Sequence, residues 1–429
     1  MRSVIIEQHD FPIVHLMLFF EGGPIFDPPG LEGLTAITNR MLLRGTTKRD
    51  RRGLEDAVED LGTELLIATR SYGLGVGAGL LARHLEPFVE LLGEVLTAPA
   101  FVETELEKVK REMIADLDVA LDEDGPLSRI WFRRCAFGDH PLSRGAMGTP
   151  QSLSAITIDD VIAHHHRQYA KRHLIVSASG DIDAADVEAM VRDRLAPLRD
   201  GEVHDWTLPP VARPHERRVT LIHRPERSQH QIVLGHPCVA AKHADVIPLG
   251  IATTAFGGTF TARLMQEVRV KRGWSYGAYA RLAAERVGGL YMLTAAPDRG
   301  QAIGTLSLLF DELGRFVEEG LEDAEIEFAR EHIMRAHVFA TETASLQVAQ
   351  RVGAMLLGRP ADFADRYLER VAAPTPDEIR ASVRRHLQPT ALEVVMVCTA
   401  DDALVAEVAA VPGVSEVRVR QPRDFLPRR

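Results

Sequence analysis

The chain has 429 residues, of which 45% are hydrophobic and 26% are charged, a composition that is typical of globular proteins and excludes disordered or fibrous classes. Its 61 acidic and 50 basic side chains give a formal net charge of −11, which argues against nonspecific binding to nucleic acid or to an anionic membrane. The three cysteines are scattered and form no CxxC motif, so we expect neither a disulfide framework nor a cysteine-based zinc site.

The beginning of the chain shows no targeting segment. The sequence MRSVIIEQHD has no basic stretch followed by an apolar one, and the apolar run at 13–20 is far too short to span a bilayer. We therefore expect no membrane association and a cytoplasmic location, or a periplasmic one if a signal peptide has been removed.

Apolar periodicity predicts the first elements. Apolar residues recur at helical spacing between Gly33 and the Gly45-Thr46 pair, which predicts a short amphipathic helix at 34–42 with Leu34, Ile37, Met41 and Leu42 on one face. In SYGLGVGAG (71–79) glycine recurs at every second residue, which is the period of a strand with one bare face and not of a dinucleotide-binding loop.

Two later segments are also predicted to be helical. Apolar residues recur at helical spacing through 103–122. The run His164-His165-His166 cannot converge on one metal ion, because consecutive helical residues point about 100° apart. We therefore expect these histidines to form a solvated helix end and not a metal site.

An internal repeat divides the chain into two similar halves. LLGEVL (91–96), ETELEKVKRE (103–112) and ITIDDVIAHHHRQY (156–169) are matched in the same order by ELGRFV (312–317), DAEIEFAREH (323–332) and PTPDEIRASVRRHL (374–387). A segment rich in proline and charge separates the halves. We predict an N-terminal domain at 1–195, a linker at 196–217 and a C-terminal repeat domain at 218–429. Each domain opens with strands and continues into helices, so the predicted fold class is α+β, with a mixed or antiparallel sheet covered by helices.

The segment FGGTFTARLMQEVRVKRGWSYGAYARL (256–282) lacks the GxxxxGK[ST] pattern of a phosphate-binding loop. From its pattern alone, Arg269 is an exposed helix residue and Tyr276 an aromatic residue of a strand.

The segment at 22–49 resembles the first active-site helix of the pitrilysin/insulinase-type zinc peptidases, the inverzincins, whose relatives include mitochondrial processing peptidase. That family carries a glycine-led HxxEH helix that ends in Gly-Thr. The resemblance extends through FGDHP (137–141), the linker and the two-half layout, and so covers nearly the whole chain. It implies that this chain is one half of a clam-shell peptidase whose halves are fused in some members and separate chains in others.

The resemblance also implies that the zinc motif is degenerate. When the segments are aligned on the glycines, the family's two histidine ligands fall on Ala36 and Arg40, and its catalytic glutamate falls on Asn39. The third ligand maps to Asp116, within a residue or two. Hydrolysis needs imidazole ligands and a glutamate that acts as general base on a zinc-bound water, and these residue types supply neither. We expect no metal bound by this chain and no catalysis by the chain alone.

A second family motif is intact. Arg269 and Tyr276 match the family's substrate-binding arginine/tyrosine pair, which lies seven residues apart and reaches the peptide being cut. A guanidinium and a phenol hydroxyl can hold a peptide carbonyl and stabilise oxyanion charge. The resemblance thus predicts a non-catalytic, substrate-binding subunit of a heterodimeric zinc metallopeptidase, with Zn²⁺ held by a homologous HxxEH partner of similar length and with peptides as substrate.

Two other hypotheses remain. One is a structural or assembly protein with the same fold and no proteolytic role, like the respiratory-complex core proteins of the family. The other is a stand-alone hydrolase, against which the chain has no GxSxG motif and places Cys135 and Cys238 in no nucleophile motif.

Overall fold

The structure is a computed structural model that describes residues 1–426, and the chain divides into two units that are each assembled from separate segments. Unit 1 comprises Met1–Asp118, Arg144–Trp206 and Val338–Ala364. Unit 2 comprises Val119–Ser143, Thr207–His337 and the chain from Asp365 onward. The units are therefore not two contiguous halves of the sequence.

Strands and helices of the first half follow one another in mixed order. The strands are β1 (Arg2–Glu7), β2 (Ile13–Glu21), β3 (Leu66–Arg70), β4 (Gly73–Leu81) and β5 (Leu174–Gly180). The helices are α1 (Leu34–Met41), α2 (Arg51–Asp60), α3 (Leu85–Thr97), α4 (Glu103–Asp122), α5 (Asp124–Phe137), α6 (Pro150–Ala155), α7 (Ile158–Gln168) and α8 (Ala184–Arg194).

The second half repeats this plan after an irregular stretch between Arg194 and Arg217. Its strands are β6 (Arg217–His223), β7 (Gln231–Cys238), β8 (Ser275–Ala284), β9 (Gly289–Pro297), β10 (Glu393–Cys398) and β11 (Val414–Arg420). Its helices are α9 (Val246–Thr253), α10 (Arg263–Met265), α11 (Ala302–Glu318), α12 (Asp323–Ala340), α13 (Ala344–Leu356), α14 (Tyr367–Ala372), α15 (Pro376–His386) and α16 (Asp402–Ala409). A π-helical turn, Gln266–Val270, continues α10.

Each unit contains a mixed sheet. Within the described residues, the sheet of unit 1 has the order β1-β5-β2-β4-β3, in which β1 and β5 are parallel and the other neighbours antiparallel. The sheet of unit 2 has the order β11-β6-β10-β7-β9-β8, with β11, β6 and β10 parallel to one another. Helices cover both sheets, so the predicted α+β fold class is confirmed.

Several local predictions are confirmed as well. The predicted helices at 34–42 and 103–122 are α1 and α4, and the glycine-alternating segment is strand β4. The glycines of β4 allow close strand pairing, because a Cβ at Gly77 would lie 2.0 Å from the carbonyl oxygen of Leu16 on β2. The repeat is visible in α7 and α15, which are both 11 residues long and both begin with a threonine capping box, at Thr157 and Thr375.

Equivalent helices of the repeat are exchanged between the units. α5 comes from the first half of the sequence and packs on β7 and β10 in unit 2. α13 occupies the corresponding place in the second half and packs on β1 and β5 in unit 1, where Val348 and Val352 join a buried apolar cluster with Phe19. Each core is thus completed by a helix from the other half of the sequence. Through residue 426, no helix combines the length and the apolar character that a membrane crossing requires.

Candidate functional site

Helix α1 carries the degenerate zinc-motif positions, and a buried carboxylate fixes its start. Gly33 precedes the helix with a φ of 98°, a left-handed conformation that favours glycine. Asp27 accepts hydrogen bonds from the backbone N–H groups of Gly33 (2.9 Å) and Thr35 (3.0 Å) and from the Thr35 hydroxyl (2.5 Å). It therefore satisfies donors in the first helical turn that have no partner within the helix.

The capping group belongs to a buried chain of hydrogen bonds. Arg167 contacts Nδ1 of His164 at 3.0 Å, and Nε2 of that ring lies 2.9 Å from the Thr35 hydroxyl. Because a guanidinium only donates, Nδ1 is the acceptor and Nε2–H donates to Thr35, which in turn donates to Asp27. Burial lowers the pKa of His164 to about 3, and burial raises the pKa of Asp27 to about 7.

The predicted solvated helix end at His164-His165-His166 is therefore wrong for two of its members. His164 and His165 are buried, at 0% and 3% exposure, and only His166 is partly exposed. Nε2 of His165 lies 3.0 Å from the Leu96 carbonyl oxygen, and because a carbonyl oxygen only accepts, Nε2–H is the donor. The two rings bond to different elements and do not point to one common metal position. This agrees with the expectation that consecutive helical residues point about 100° apart.

The three motif positions on α1 have separate structural roles. Ala36 is partly buried against the core of unit 1. Asn39 is fully buried: its amide nitrogen donates to the Thr69 hydroxyl at 2.8 Å, and its oxygen accepts from the Tyr169 hydroxyl at 2.9 Å. Arg40 pairs with Asp116 on α4 at 2.7 Å.

Arg40 and Asp116 align with two zinc-ligand positions of the family, and the structure does place them side by side. Here, however, they form an ion pair. The side chains are 32% and 51% exposed, so the pair contributes about 0–1 kcal/mol to stability. The donor set does not fit zinc, because Ala36 has no ligand atom, the Asn39 amide is already bonded, and a guanidinium neutralises the remaining carboxylate.

The other predicted pair, Arg269 and Tyr276, lies in unit 2 and is in direct contact. The Arg269 guanidinium carbon is 4.5 Å from the centroid of the Tyr276 ring, a cation–π geometry, and the phenol is 78% exposed. Arg269 lies in the π-helical turn after α10, and Tyr276 follows a turn at Gly273 into β8.

A β-bulge turns Tyr276 outward. The pairing of β8 with β9 shifts register between Ser275 and Ala278, and β8 is an edge strand. The buried Ser275 hydroxyl donates to the Gly277 carbonyl at 2.7 Å and accepts from the Ala296 N–H at 3.0 Å. The serine therefore satisfies backbone groups that the bulge removes from the ladder.

The donors of Arg269 are unoccupied. Within the described part of the chain, its guanidinium makes no hydrogen bond and no ion pair, and its contacts are with aromatic rings. The neighbouring cations Lys271 and Arg272 both pair with Glu267. Arg269 is thus left with its N–H groups available to a ligand beside an exposed phenol.

Sequence reasoning missed two features of these sites. Asp27 lies six residues before Gly33, outside the local capping pattern, so its role depends on the path of the IFDPPG turn. Phe260, whose ring centroid is 5.8 Å from the Arg269 guanidinium carbon, carries no sequence signal beyond an apolar residue in a loop.

A further cluster of metal-type side chains lies in unit 2. One donor atom each of His243, Asp245 and His386 lies within 4.8 Å of the others. Oδ2 of Asp245 is 2.6 Å from Nε2 of His386 and also accepts from Arg385. The carboxylate is thus already paired between the start of α9 and the end of α15, and this ion pair accounts for the cluster without a metal.

The cysteines do not form a nucleophilic site. Burial raises the pKa of Cys135, raises that of Cys238 to about 11 and raises that of Cys398 to about 12. The reactive form of cysteine is the thiolate, and these side chains remain thiols near neutral pH.

A two-unit α+β chain whose helix α1 carries alanine, asparagine and arginine at the aligned zinc-motif positions defines a relative of metallopeptidases with an altered zinc motif. The profile described as "Insulinase (Peptidase family M16)" matches residues 2–149, and the profile described as "Peptidase M16 inactive domain" matches residues 155–333. The chain belongs to peptidase family M16, as the resemblance implied.

Some of the similar proteins are named as zinc proteases, and at least one is named as a non-peptidase homolog. An uncharacterized zinc protease of Streptomyces coelicolor is 28% identical over 366 residues, covering 83% of this chain and 79% of that protein. The non-peptidase homolog YmxG of Helicobacter pylori is 22% identical over 386 residues, covering 89% and 88%. The crystal structure of a peptidase M16 inactive domain from Pseudomonas fluorescens shares the fold, with a TM-score of 0.85, 23% identity, and coverage of 92% of this chain and 94% of that one.

Proposed function

We propose that this chain is the substrate-binding, non-catalytic subunit of a heterodimeric zinc metallopeptidase. Its partner would be a homologous chain of similar length that carries HxxEH and holds the Zn²⁺. The observation that supports this role is the contrast between the two motifs. The zinc-motif positions are filled by side chains bonded to the protein itself, whereas Arg269 has free donors beside the exposed Tyr276.

The chemistry of the pair suits a peptide. The Arg269 guanidinium and the Tyr276 hydroxyl can both donate to a carbonyl oxygen, and the cation–π contact holds one donor beside the other. Donors that are positioned before the reaction stabilise negative charge as it develops on that oxygen, without reorganisation. In this proposal the zinc, when bound by the partner, would supply an activated water, and Arg269 and Tyr276 of this chain would orient the peptide and stabilise the oxyanion.

The absence of zinc at the degenerate motif is part of the proposal. Asp116 is the one residue of the aligned set with a ligand atom of the usual kind, and its carboxylate is bonded to Arg40. We therefore expect the chain alone to cleave no peptide, and we expect cleavage in the heterodimer to be lost when a chelator removes the partner's metal.

The test begins with native purification of the tagged chain and mass measurement of what co-purifies. Recovery of a one-to-one complex with an HxxEH chain that cleaves peptides would support the proposal. Recovery of the chain alone or as a homodimer would contradict it, and a complex that assembles without peptidase activity would instead indicate the structural or assembly role.

Variants then test the two residues in that complex. Arg269→Ala or Tyr276→Phe should lower peptide turnover about 10²–10³-fold without dissociating the subunits, as the loss of one oxyanion donor does. Tyr279→Phe is the matched control, because Tyr279 is also on β8, is 38% exposed, and makes no described contact with Arg269. Unchanged turnover in both variants would show that the pair does not contact the reacting peptide.

A further inference from the structure

A cavity of about 530 Å³ lies in unit 1 between α2, α3 and the end of α8. Its volume falls within the range of small-molecule sites, about 300–1,000 Å³, and its lining combines apolar and charged side chains as those sites do. The apolar part of the lining consists of Ala57 and Leu61 at the end of α2 and of Pro87 and Leu91 on α3. An apolar side chain of a ligand gains free energy by packing against this wall.

Four of the charged side chains at the cavity already form two ion pairs. Arg194 pairs with Glu90, and Arg49 pairs with Glu94. The second pair is held in place, because the Thr46 hydroxyl also donates to the Glu94 carboxylate. Each pair is neutral as a whole, so neither leaves a net charge for a ligand to balance.

Lys48 and Asp60 are the remaining charged residues of the lining, and both are exposed. Within residues 1–426, the Lys48 ammonium and the Asp60 carboxylate form no ion pair and no hydrogen bond. Burial opposes the ionisation of Glu94, but its hydrogen bonds and the charges of Arg49 and Lys48 lower the pKa of this carboxyl overall. Because both Glu94 oxygens are already bonded, Lys48 keeps its three donors for another acceptor.

We propose that this cavity binds a small zwitterionic ligand with an apolar side chain, the chemistry that free amino acids share with di- and tripeptides. The ligand carboxylate binds Lys48, the ligand ammonium group binds Asp60, and the apolar side chain packs against Leu61 and Leu91. Charge-assisted hydrogen bonds at both ends fix the orientation of such a ligand. The site lies in unit 1 and uses neither residue of the arginine/tyrosine pair of unit 2, so it goes beyond the proposed function.

The test starts with isothermal titration calorimetry of the full chain with unmodified and blocked peptides. The tripeptide Ala-Leu-Ala should bind saturably, and triglycine should bind more weakly because it lacks the apolar side chains. Amidating the C-terminus or acetylating the N-terminus of Ala-Leu-Ala should weaken binding about two- to fivefold, as the loss of one exposed ion pair predicts. Free leucine distinguishes the two sources: binding at least as tight as that of the tripeptide identifies an amino acid as the ligand, and weaker binding identifies a peptide.

Substitutions then assign each end of the ligand to one residue. Lys48→Gln should weaken the unmodified tripeptide about two- to fivefold and leave the affinity for the amidated peptide unchanged. Asp60→Asn should weaken the unmodified tripeptide by a similar factor and leave the affinity for the acetylated peptide unchanged. Arg52→Gln and Glu59→Gln are the matched controls, because both residues are exposed on α2 and neither lines the cavity, so they should change no affinity.

Each contrary outcome is distinct. If neither the tripeptide nor leucine binds saturably, the site is overturned. If the tripeptide binds but Lys48→Gln and Asp60→Asn leave its affinity unchanged, or weaken unmodified and blocked peptides alike, the ligand is not held in this cavity and the site is also overturned. Binding that weakens in Tyr276→Phe and not in Lys48→Gln would overturn the cavity site while supporting the proposed function. Failure to recover an HxxEH partner would contradict the proposed function and leave the cavity site intact.

Discussion

The buried Asp27 and His164 side chains should make opposite contributions to the pH dependence of folding. Burial raises the pKa of Asp27 from 3.8 to about 7 and lowers the pKa of His164 from 6.5 to about 3. Relative to the unfolded chain, the folded protein therefore binds the Asp27 proton more tightly and the His164 proton less tightly. The two shifts have opposite signs, so the two effects on stability oppose each other. The pH intervals over which the two groups change the stability overlap.

The magnitudes follow from linkage at about 1.4 kcal/mol per pH unit. The stability associated with protonated Asp27 is fully present below a pH of about 4 and is lost as the pH rises toward 7, a change on the order of 4 kcal/mol. The stability associated with neutral His164 is fully present above a pH of about 6.5 and is lost as the pH falls toward 3, a change of similar size. Between a pH of about 4 and a pH of about 6.5, the two contributions to the pH dependence of the free energy of unfolding nearly cancel in the unsubstituted protein.

Substituting one of the two residues should reveal the pH dependence of stability that the other residue contributes. Asp27→Asn should become more stable relative to the unsubstituted protein as the pH rises from about 4 to about 7, by on the order of 3 kcal/mol. His164→Gln is the matched variant of opposite sign and should lose a similar amount over the same range. Urea denaturation followed by far-UV circular dichroism at several pH values measures both differences. Stability differences that stay constant with pH in both variants would refute the buried hydrogen-bonded arrangement at the start of α1.

Two further substitutions test the bonds that position the motif residues. Tyr169→Phe should cost about 1–3 kcal/mol in urea denaturation, because it leaves the buried Asn39 oxygen without its donor; a change below about 0.5 kcal/mol would contradict this bond. Ser275→Ala should cost a similar amount by leaving the Ala296 N–H unpaired at the bulge, and Ser275→Thr, which keeps a hydroxyl, should recover part of that loss.

The repeat and the zinc-motif positions illustrate what local pattern can predict. Sequence matches at a nearly constant offset identified equivalent helices, and the bounds of α7 and α15 agree with that assignment. Helical spacing also located α1 and α4, because apolar periodicity directly reflects which face of a helix is buried. The same reasoning failed for His164 and His165, since a polar triplet carries no signal that other elements will enclose it and complete its hydrogen bonds.

The sequence by itself determined the side chains at the three aligned zinc-motif positions of α1, because a methyl, an amide and a guanidinium cannot become imidazoles or a glutamate in any fold. It also determined the α+β class, through periodicity and repetition. Only the tertiary structure decided that Arg40 pairs with Asp116, that α5 and α13 complete the core of the unit built mainly from the other half, and that Phe260 lies beside Arg269. These are contacts between residues that are distant in sequence or separated by a loop, and their distances depend on how whole elements pack, which no local pattern encodes.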